Sequence, residues 1–552
     1  MIQERFIKEL EKSIKSNWHQ PAMTDYEGPT VTYGQTAEKI LRLHMLFENI
    51  GIKRGDKIAI VGKNSINWSL GFLATVSYGA VIVPILPDFK SDDIHHIVNH
   101  SDSVLLFAAD FIYETLDESQ MPHLEAIITL ENYDIVFAKK TQIKEHFEKA
   151  EAEFAQRWSG RLNAESFHFP EIKNDELAAI VYTSGTTGFS KGVMLLHNSI
   201  SANIRYAQRN MPLKSGDRIV SFMPLAHSYG CAFEFLFPLT LGCHITFLGK
   251  TPSPKVIVKA FQEVRPQLIL SVPLVIEKIY RKQILPVIGT KKMQVLLKAP
   301  LLSKVVERKI CKKLLDVFGG NFHEIVVGGA AFNQEVELFL RKIGFPFTGG
   351  YGMTECGPLI SYASHKENKP FSVGRVVDTL EIKVDSDDPQ HIVGEFLVRG
   401  ENVMVGYYKN PQATQEAIDA DGWLHTGDLG VIDADGFIFI KGRSKNMLLG
   451  PSGQNIYPEE IEDKLNNMPF VGESLVIEKN HKLTALVYPD YEAADAAGLD
   501  EVQLKAKMEE NRQTLNKALP AYSAITRIDL YPEEFEKTPT RKIKRYLYNV
   551  AS

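Results

Sequence analysis

Leu177 to Val193 reads LAAIVYTSGTTGFSKGV, an apolar β-rich run that passes directly into a loop of Gly, Ser and Thr ending at Lys191. Glycine at 185 and 188 lets backbone N–H groups converge on one ligand. The hydroxyls of Thr183, Ser184, Thr186 and Thr187 add donors, and Lys191 supplies positive charge, so the stretch predicts a polyphosphate cradle at the end of a buried strand. Its order is GxxGxxK rather than GxxxxGK[ST], which argues against a Walker-type loop. A plain polar turn explains so many hydroxyls and glycines poorly.

Working outward, apolar runs alternate with helical periodicity from about Tyr33 to Gly350: KIAIVG, AVIVPI, SVLLFAA, RIVSFMP, QLILSV and EIVVGGA. This is the βα pattern of mostly parallel sheets with helices on both faces, an α/β fold class. After Ser372 the pattern becomes VGRVVDTLEIKVD, GEFLVRG and GVIDADGFIFIKG, the last with a hairpin turn at Asp435-Gly436, which predicts a smaller antiparallel subdomain over about 372–444. A boundary near Lys445 leaves 445–552 as a small α+β C-terminal domain behind an N-terminal domain of 1–444. A chain of 552 residues is too long for one core, which agrees with such a division.

Composition narrows the function classes. Hydrophobic residues at 44% and charged residues at 24% are globular values, and the net charge of −6 lacks the polycation character that drives nucleic-acid binding. Cys231, Cys243, Cys311 and Cys356 show no CxxC spacing, so neither a zinc site nor a disulfide framework is indicated, and a reducing cytosol fits. The N-terminus MIQERFIKELEKSIKSNW carries charges through every turn and lacks the apolar core of a signal peptide. The uncharged run from Asn64 to Pro87 reads as a helix followed by a buried strand rather than a membrane span. His95 and His96, without an apparent metal-site partner, read as surface residues.

Charge is uneven along the chain. Residues 277–313 carry eleven basic and two acidic side chains, a local net charge of +9. A basic helix around LLSKVVERKICKKLLDVF suits peripheral contact with an anionic membrane, although an ordinary solvated helix face is the commoner use of such a segment.

Further motifs follow the loop in order: PLAHSYG (Pro224 to Gly230), VVGGAAF (Val326 to Phe332), GGYGMTECGP (Gly349 to Pro358), GWLHTGDLG (Gly422 to Gly430), KGRSKNMLLGPSGQNIYPEEIE (Lys441 to Glu462) and KTPTRKIKRY near the end. With the hydroxyl-rich loop they resemble the adenylate-forming, AMP-binding superfamily of acyl-CoA synthetases, luciferases and peptide-synthetase adenylation domains. The wording GMTECGP and GQNIYPEE looks most like long-chain fatty acid CoA ligases. Read on its own chemistry, GGYGMTE offers Tyr351 as a stacking face, Gly352 for close chain approach, and Thr354 and Glu355 to meet phosphate and magnesium.

The resemblance implies an acid-thiol ligase using ATP, Mg²⁺ and coenzyme A to activate a fatty acid. It implies Glu355 as the Mg²⁺ carboxylate, Gly329, Ala330 and Ala331 along the adenine pocket, Asp428 on the ribose diol and Arg443 on ribose or α-phosphate. It implies His227, with Tyr229, as a gate beside the acyl pocket; taken alone, that histidine and the Phe233, Phe235, Phe237 stripe read as core packing. Lys445 corresponds to a hinge, Gly453 to the pantetheine approach, and Lys542 to a catalytic lysine beside Glu355 and Lys191. The residue before that lysine is usually glycine in the family and is Arg541 here. An acyl-AMP ligase that loads a carrier protein, a luciferase-like oxygenase and a degenerate nucleotide or lipid binder share the same motifs.

Overall fold

A computed structural model describes residues 1–552 except 141, 159, 184–190, 251–252, 450–453, 480–481, 539–541 and 549–552. Its largest element is an eight-stranded sheet ordered Gly406–Tyr407, Lys191–Leu196, Leu177–Thr183, Val81–Ile85, Lys57–Val61, Ser103–Ala108, Ala126–Thr129, Ile135–Ala138. The central strands pair in parallel and are sealed on both faces, every residue of Val81–Ile85 being buried. That explains why they read as unbroken apolar runs.

Both edges differ from the mostly parallel expectation. Lys191–Leu196 runs antiparallel to Leu177–Thr183, and Ala126–Thr129 and Ile135–Ala138 pair antiparallel at the far side. The strand after the hydroxyl-rich loop therefore turns straight back in a hairpin, with Thr183 opposite Lys191.

The run from Asn64 folds as expected into helix Ile66–Tyr78 and strand Val81–Ile85. Ser65 caps the helix by accepting from the Trp68 N–H, and Gly79 at φ +91° ends it in the left-handed region favoured by glycine. Trp68 and Phe72 stack on each other in the core at 5.6 Å between ring centroids. Trp68→Ala would cost about 3–5 kcal/mol in lost transfer and cavity energy. Among the described residues no helix is long and apolar enough to cross a membrane.

A second, parallel sheet holds Leu268–Ser271, Glu324–Val327 and Phe347–Gly349, in register so that Ser271, Val327 and Gly349 end side by side. Antiparallel structure begins earlier than Ser372: Tyr351–Gly352, Leu359–Tyr362 and Arg375–Val376 already form such a sheet. The main antiparallel sheet follows, ordered Leu380–Asp385, Gly394–Gly400, Leu424–Ile432, Ile438–Arg443. Its last hairpin turns at Asp435-Gly436, with Gly436 at φ +81°.

A separate apolar cluster, including Ile456, Ile461, Leu465, Val487 and Leu515, organises the C-terminal region around strands Val471–Lys479, Lys482–Pro489 and Arg527–Leu530. It meets the rest of the protein through polar contacts. The Arg281 guanidinium donates to the Asn466 carbonyl at 2.7 Å, the Asn333 amide donates to Asn467 Oδ1 at 2.7 Å, and Lys441 pairs with Glu460 at 3.4 Å.

The surface assignment of the histidine pair is half corrected. His95 is buried, because its Nε2 accepts the backbone N–H of Asp117 at 3.1 Å across the neighbouring turn. The four cysteines are free.

Candidate active site

Strand Leu424–Ile432 lies antiparallel to Ile438–Arg443, and the register sets Asp428 opposite Arg443. The Arg443 guanidinium grips both carboxylate oxygens, Nε to Oδ1 at 2.8 Å and Nη2 to Oδ2 at 3.4 Å. Tyr351, at the start of the antiparallel strand Tyr351–Gly352, donates its hydroxyl to Asp428 Oδ2 at 2.7 Å. Burial and the Asp428 charge hold that phenol well above its ordinary range, so it donates as a neutral group. Asp428 itself is 4% exposed, and its N–H donates to Thr426 Oγ1 at 3.1 Å.

Gly352 follows where no side chain fits. A Cβ there would lie 2.3 Å from the Pro358 carbonyl oxygen. This close crossing turns the chain so that Thr354 and Glu355 form a short 3₁₀ turn at half-buried positions.

The Tyr407 hydroxyl donates to Glu355 Oε1 at 2.9 Å, and Lys191 Nζ sits 4.7 Å from the centroid of the same ring. Tyr407 thus joins the two charged groups expected to handle phosphate and metal. The sequence reading missed it. Gly406–Tyr407 is a two-residue strand that pairs with Met194 and Val193, far back in the chain, while the Tyr407 N–H donates to Thr414 Oγ1 at 2.9 Å.

Gly329, Ala330 and Ala331 are exposed just beyond strand Glu324–Val327, with Gly329 at φ +89°. Tyr229 leans on the same strand, its hydroxyl donating to the Val326 carbonyl at 3.1 Å, and its ring packs edge-on to Phe233 at 6.0 Å. Phe233, Phe235 and Phe237 are fully buried, as the packing reading expects. The His227 ring accepts the Tyr229 N–H at Nδ1, 3.3 Å. Burial, with Lys542 adding repulsion, pulls His227 down to about 4 and leaves a neutral imidazole at physiological pH.

Lys542 therefore reaches this site from the far end of the chain. It lies in a closed turn in which its N–H donates to Thr538 Oγ1 at 3.2 Å and its carbonyl accepts from the Thr538 N–H at 2.7 Å. The side chain is exposed to the cleft, yet surrounding protein lowers its basicity, with Arg443 adding repulsion and Asp428 and Glu355 partly offsetting it. Lys445 sits exposed in the short turn Ser444–Asn446 that leads to the C-terminal region, where the Asn446 amide donates to Glu459 Oε1 at 2.6 Å.

Ser184, Gly185, Thr186, Thr187, Gly188, Gly453 and Arg541 lie outside the described residues. Of the residues flanking the first five, Thr183 pairs with Lys191 across the two strands. Glu355, Asp428, Arg443, Tyr351, Tyr407, Lys191, His227 and Lys542 form one linked constellation of charge and hydroxyl groups. The donor set fits a Mg²⁺ ion bound through phosphates: among the described residues there is no cluster of three or more His, Cys, Asp or Glu able to hold a metal alone, and such ions bind through one or two carboxylates plus phosphate oxygens. Glu355 is the carboxylate available for that.

The AMP-binding enzyme family matches residues 10–408. The long-chain-fatty-acid--CoA ligase FadD15 of Mycobacterium bovis is 27% identical over 93% of this chain and 90% of its own length. The peroxisomal long chain acyl-CoA synthetase 6 of Arabidopsis thaliana is 30% identical over 83% of this chain and 68% of its own. Among solved structures, the anthranilate CoA ligase AuaEII in complex with anthranoyl-AMP superposes with a TM-score of 0.77, at 18% identity, covering 99% of this chain and 96% of that one.

Proposed function

The chain belongs to the AMP-binding enzyme family, and from that premise we propose that it activates a long-chain fatty acid with ATP and transfers the acyl group to coenzyme A. The observation that carries this reading is the meeting of Lys191, Glu355, Asp428, Arg443 and the tail residue Lys542 around one cleft. The names of the relatives, long-chain ligases along most of their length, support the choice of acid.

In the first half-reaction a carboxylate oxygen attacks the α-phosphorus of ATP, and the bond to the bridging oxygen of pyrophosphate breaks. Lys191 and Lys542 neutralise negative charge that builds on the transferring phosphoryl group. A Mg²⁺ ion held by Glu355 would supply charge neutralisation on the phosphates. Asp428 holds the ribose hydroxyls, with Tyr351 and Arg443 fixing the carboxylate.

In the second half-reaction the coenzyme A sulfur bonds to the acyl carbonyl carbon, AMP leaves with the former carboxylate oxygen, and the thiol proton is lost to solvent or base. We assign the intervening rearrangement to rotation about Lys445, which would withdraw Lys542 and bring the segment around Gly453 to the pantetheine arm. The polar, sparse contacts between the two parts suit such a motion.

The test is a coenzyme A-dependent AMP-release assay across acetate, octanoate, palmitate and benzoate. Palmitate is expected to give the highest kcat/KM; a preference for benzoate or acetate overturns the choice of acid. Lys445→Pro is expected to impair thioester formation more than adenylation, and equal loss of both would remove the hinge.

A further inference from the structure

Helix Pro300–Val317 turns one face inward and one outward. Ile310, Cys311 and Leu314 are buried, whereas Lys304, Val305, Arg308, Lys309, Lys312 and Lys313 are exposed. At helical spacing these cations spread over the outward half of the helix, opposite the buried face, with exposed Asp316 among them. Glu307, which interrupts the run in sequence, directs its charge to Lys342 at 3.6 Å. Lys278 and Lys282, on the earlier helical segments Pro273–Ile279 and Tyr280–Ile284, are exposed as well.

The same segment exposes apolar side chains unusually often. Leu285 is 44% exposed, Val295 68% and Val305 49%. The segment carries a net charge of +9 on a chain whose total is −6, so the remainder is strongly negative. The segment is thus a concentrated positive region on an otherwise acidic chain.

We propose that this region, helix Pro300–Val317 with the short helices before it, is a docking surface for a bilayer rich in anionic phospholipid. The cations meet the headgroup charge, and the exposed valines and leucine enter the headgroup boundary. A nucleic-acid partner would use the cations but leave those apolar groups without a role, which is why the lipid surface is favoured. The inference does not depend on which acid the enzyme activates. Each cation at such a surface is worth about five-fold in partitioning, so reversing three of them should lower it by at least two orders of magnitude.

The experiment is co-sedimentation of the full chain with phosphatidylcholine vesicles, with and without phosphatidylglycerol, at low and physiological salt. Wild type should bind the phosphatidylglycerol vesicles, weakening as salt rises, and should leave the neutral ones in solution. The triple variant Lys304→Glu, Lys309→Glu, Lys313→Glu should lose binding while keeping its melting temperature and its turnover of octanoate. If that variant folds poorly, the corresponding Lys→Gln set is used, with a smaller expected loss. Equal sedimentation with neutral vesicles, or unchanged binding by a folded variant, overturns the proposal. So does duplex DNA binding to wild type more tightly than the anionic vesicles and losing affinity in the same variant.

Discussion

Tyr407 donates its hydroxyl to Glu355 at 2.9 Å and offers its ring to Lys191 at 4.7 Å, so one side chain holds the carboxylate and the ammonium in a fixed relation.

Tyr407→Phe keeps the ring and removes only the hydroxyl. A hydrogen bond to a charged group is worth about 1.5–3 kcal/mol, so adenylation should slow by roughly ten- to a hundred-fold while Lys191 stays in place. Pyrophosphate exchange at varied Mg²⁺ measures this, and the deficit should shrink as Mg²⁺ is raised. Tyr407→Leu should be worse than Tyr407→Phe.

Asp428→Ala leaves the Tyr351 hydroxyl and the Arg443 guanidinium without their shared acceptor. Removing one partner of a fully buried pair costs about 3–5 kcal/mol. Arg443 is half exposed, so about 2 kcal/mol is expected, together with a rise in the KM for ATP. Thermal melts and initial rates check the two effects separately, and Asp428→Asn should recover part of the stability and little of the affinity.

Lys542→Ala should abolish most adenylate formation, by about a hundred- to a thousand-fold if the side chain stabilises transition-state charge. ATP binding, measured by calorimetry, should change little. Loss of both would make Lys542 a binding residue instead.

Asp463 lies where the C-terminal region meets helix Gln334–Lys342. Burial raises its carboxyl to about 6, against the opposing pull of the Gln334 N–H and Lys464, with Glu335 and Glu337 adding smaller repulsions. The folded protein therefore binds this proton more tightly than the unfolded chain, and stability contributed by the protonated form is lost as pH rises from about 4 to 6. Asp463→Asn should gain on wild type across that window, approaching about 3 kcal/mol, and hold a constant advantage above it. Melting curves of both proteins at matched pH values give the comparison.

The parts legible in the sequence share a physical basis. Strands sealed on both faces, such as Val81–Ile85, must be apolar throughout and so announce themselves. The hairpin at Asp435-Gly436 was legible too, but the pairing of Asp428 with Arg443 depends on a register shift at Leu429–Gly430 that the turn alone does not announce, since an unshifted hairpin would set Asp428 opposite Gly442. What stayed hidden depends on distant partners. The His95 ring accepts one backbone N–H from Asp117, and Tyr407 owes its place to strand pairing with residues more than 200 positions earlier in the chain. The antiparallel return of Lys191–Leu196 was equally silent, since KGVMLL follows a loop that would serve a βα crossover just as well.

The strand Gly406–Tyr407 belongs by chain order to the later β-rich region, yet it completes the edge of the large sheet. Prising the two walls of the cleft apart would strip backbone hydrogen bonds from that seam and drag Tyr407 off Glu355. On the other side of the cleft, among the described residues, the C-terminal region is held by contacts such as Arg281 to the Asn466 carbonyl and Asn333 to Asn467, with no strand paired across, so on the proposed rotation about Lys445 that side is the one that would open.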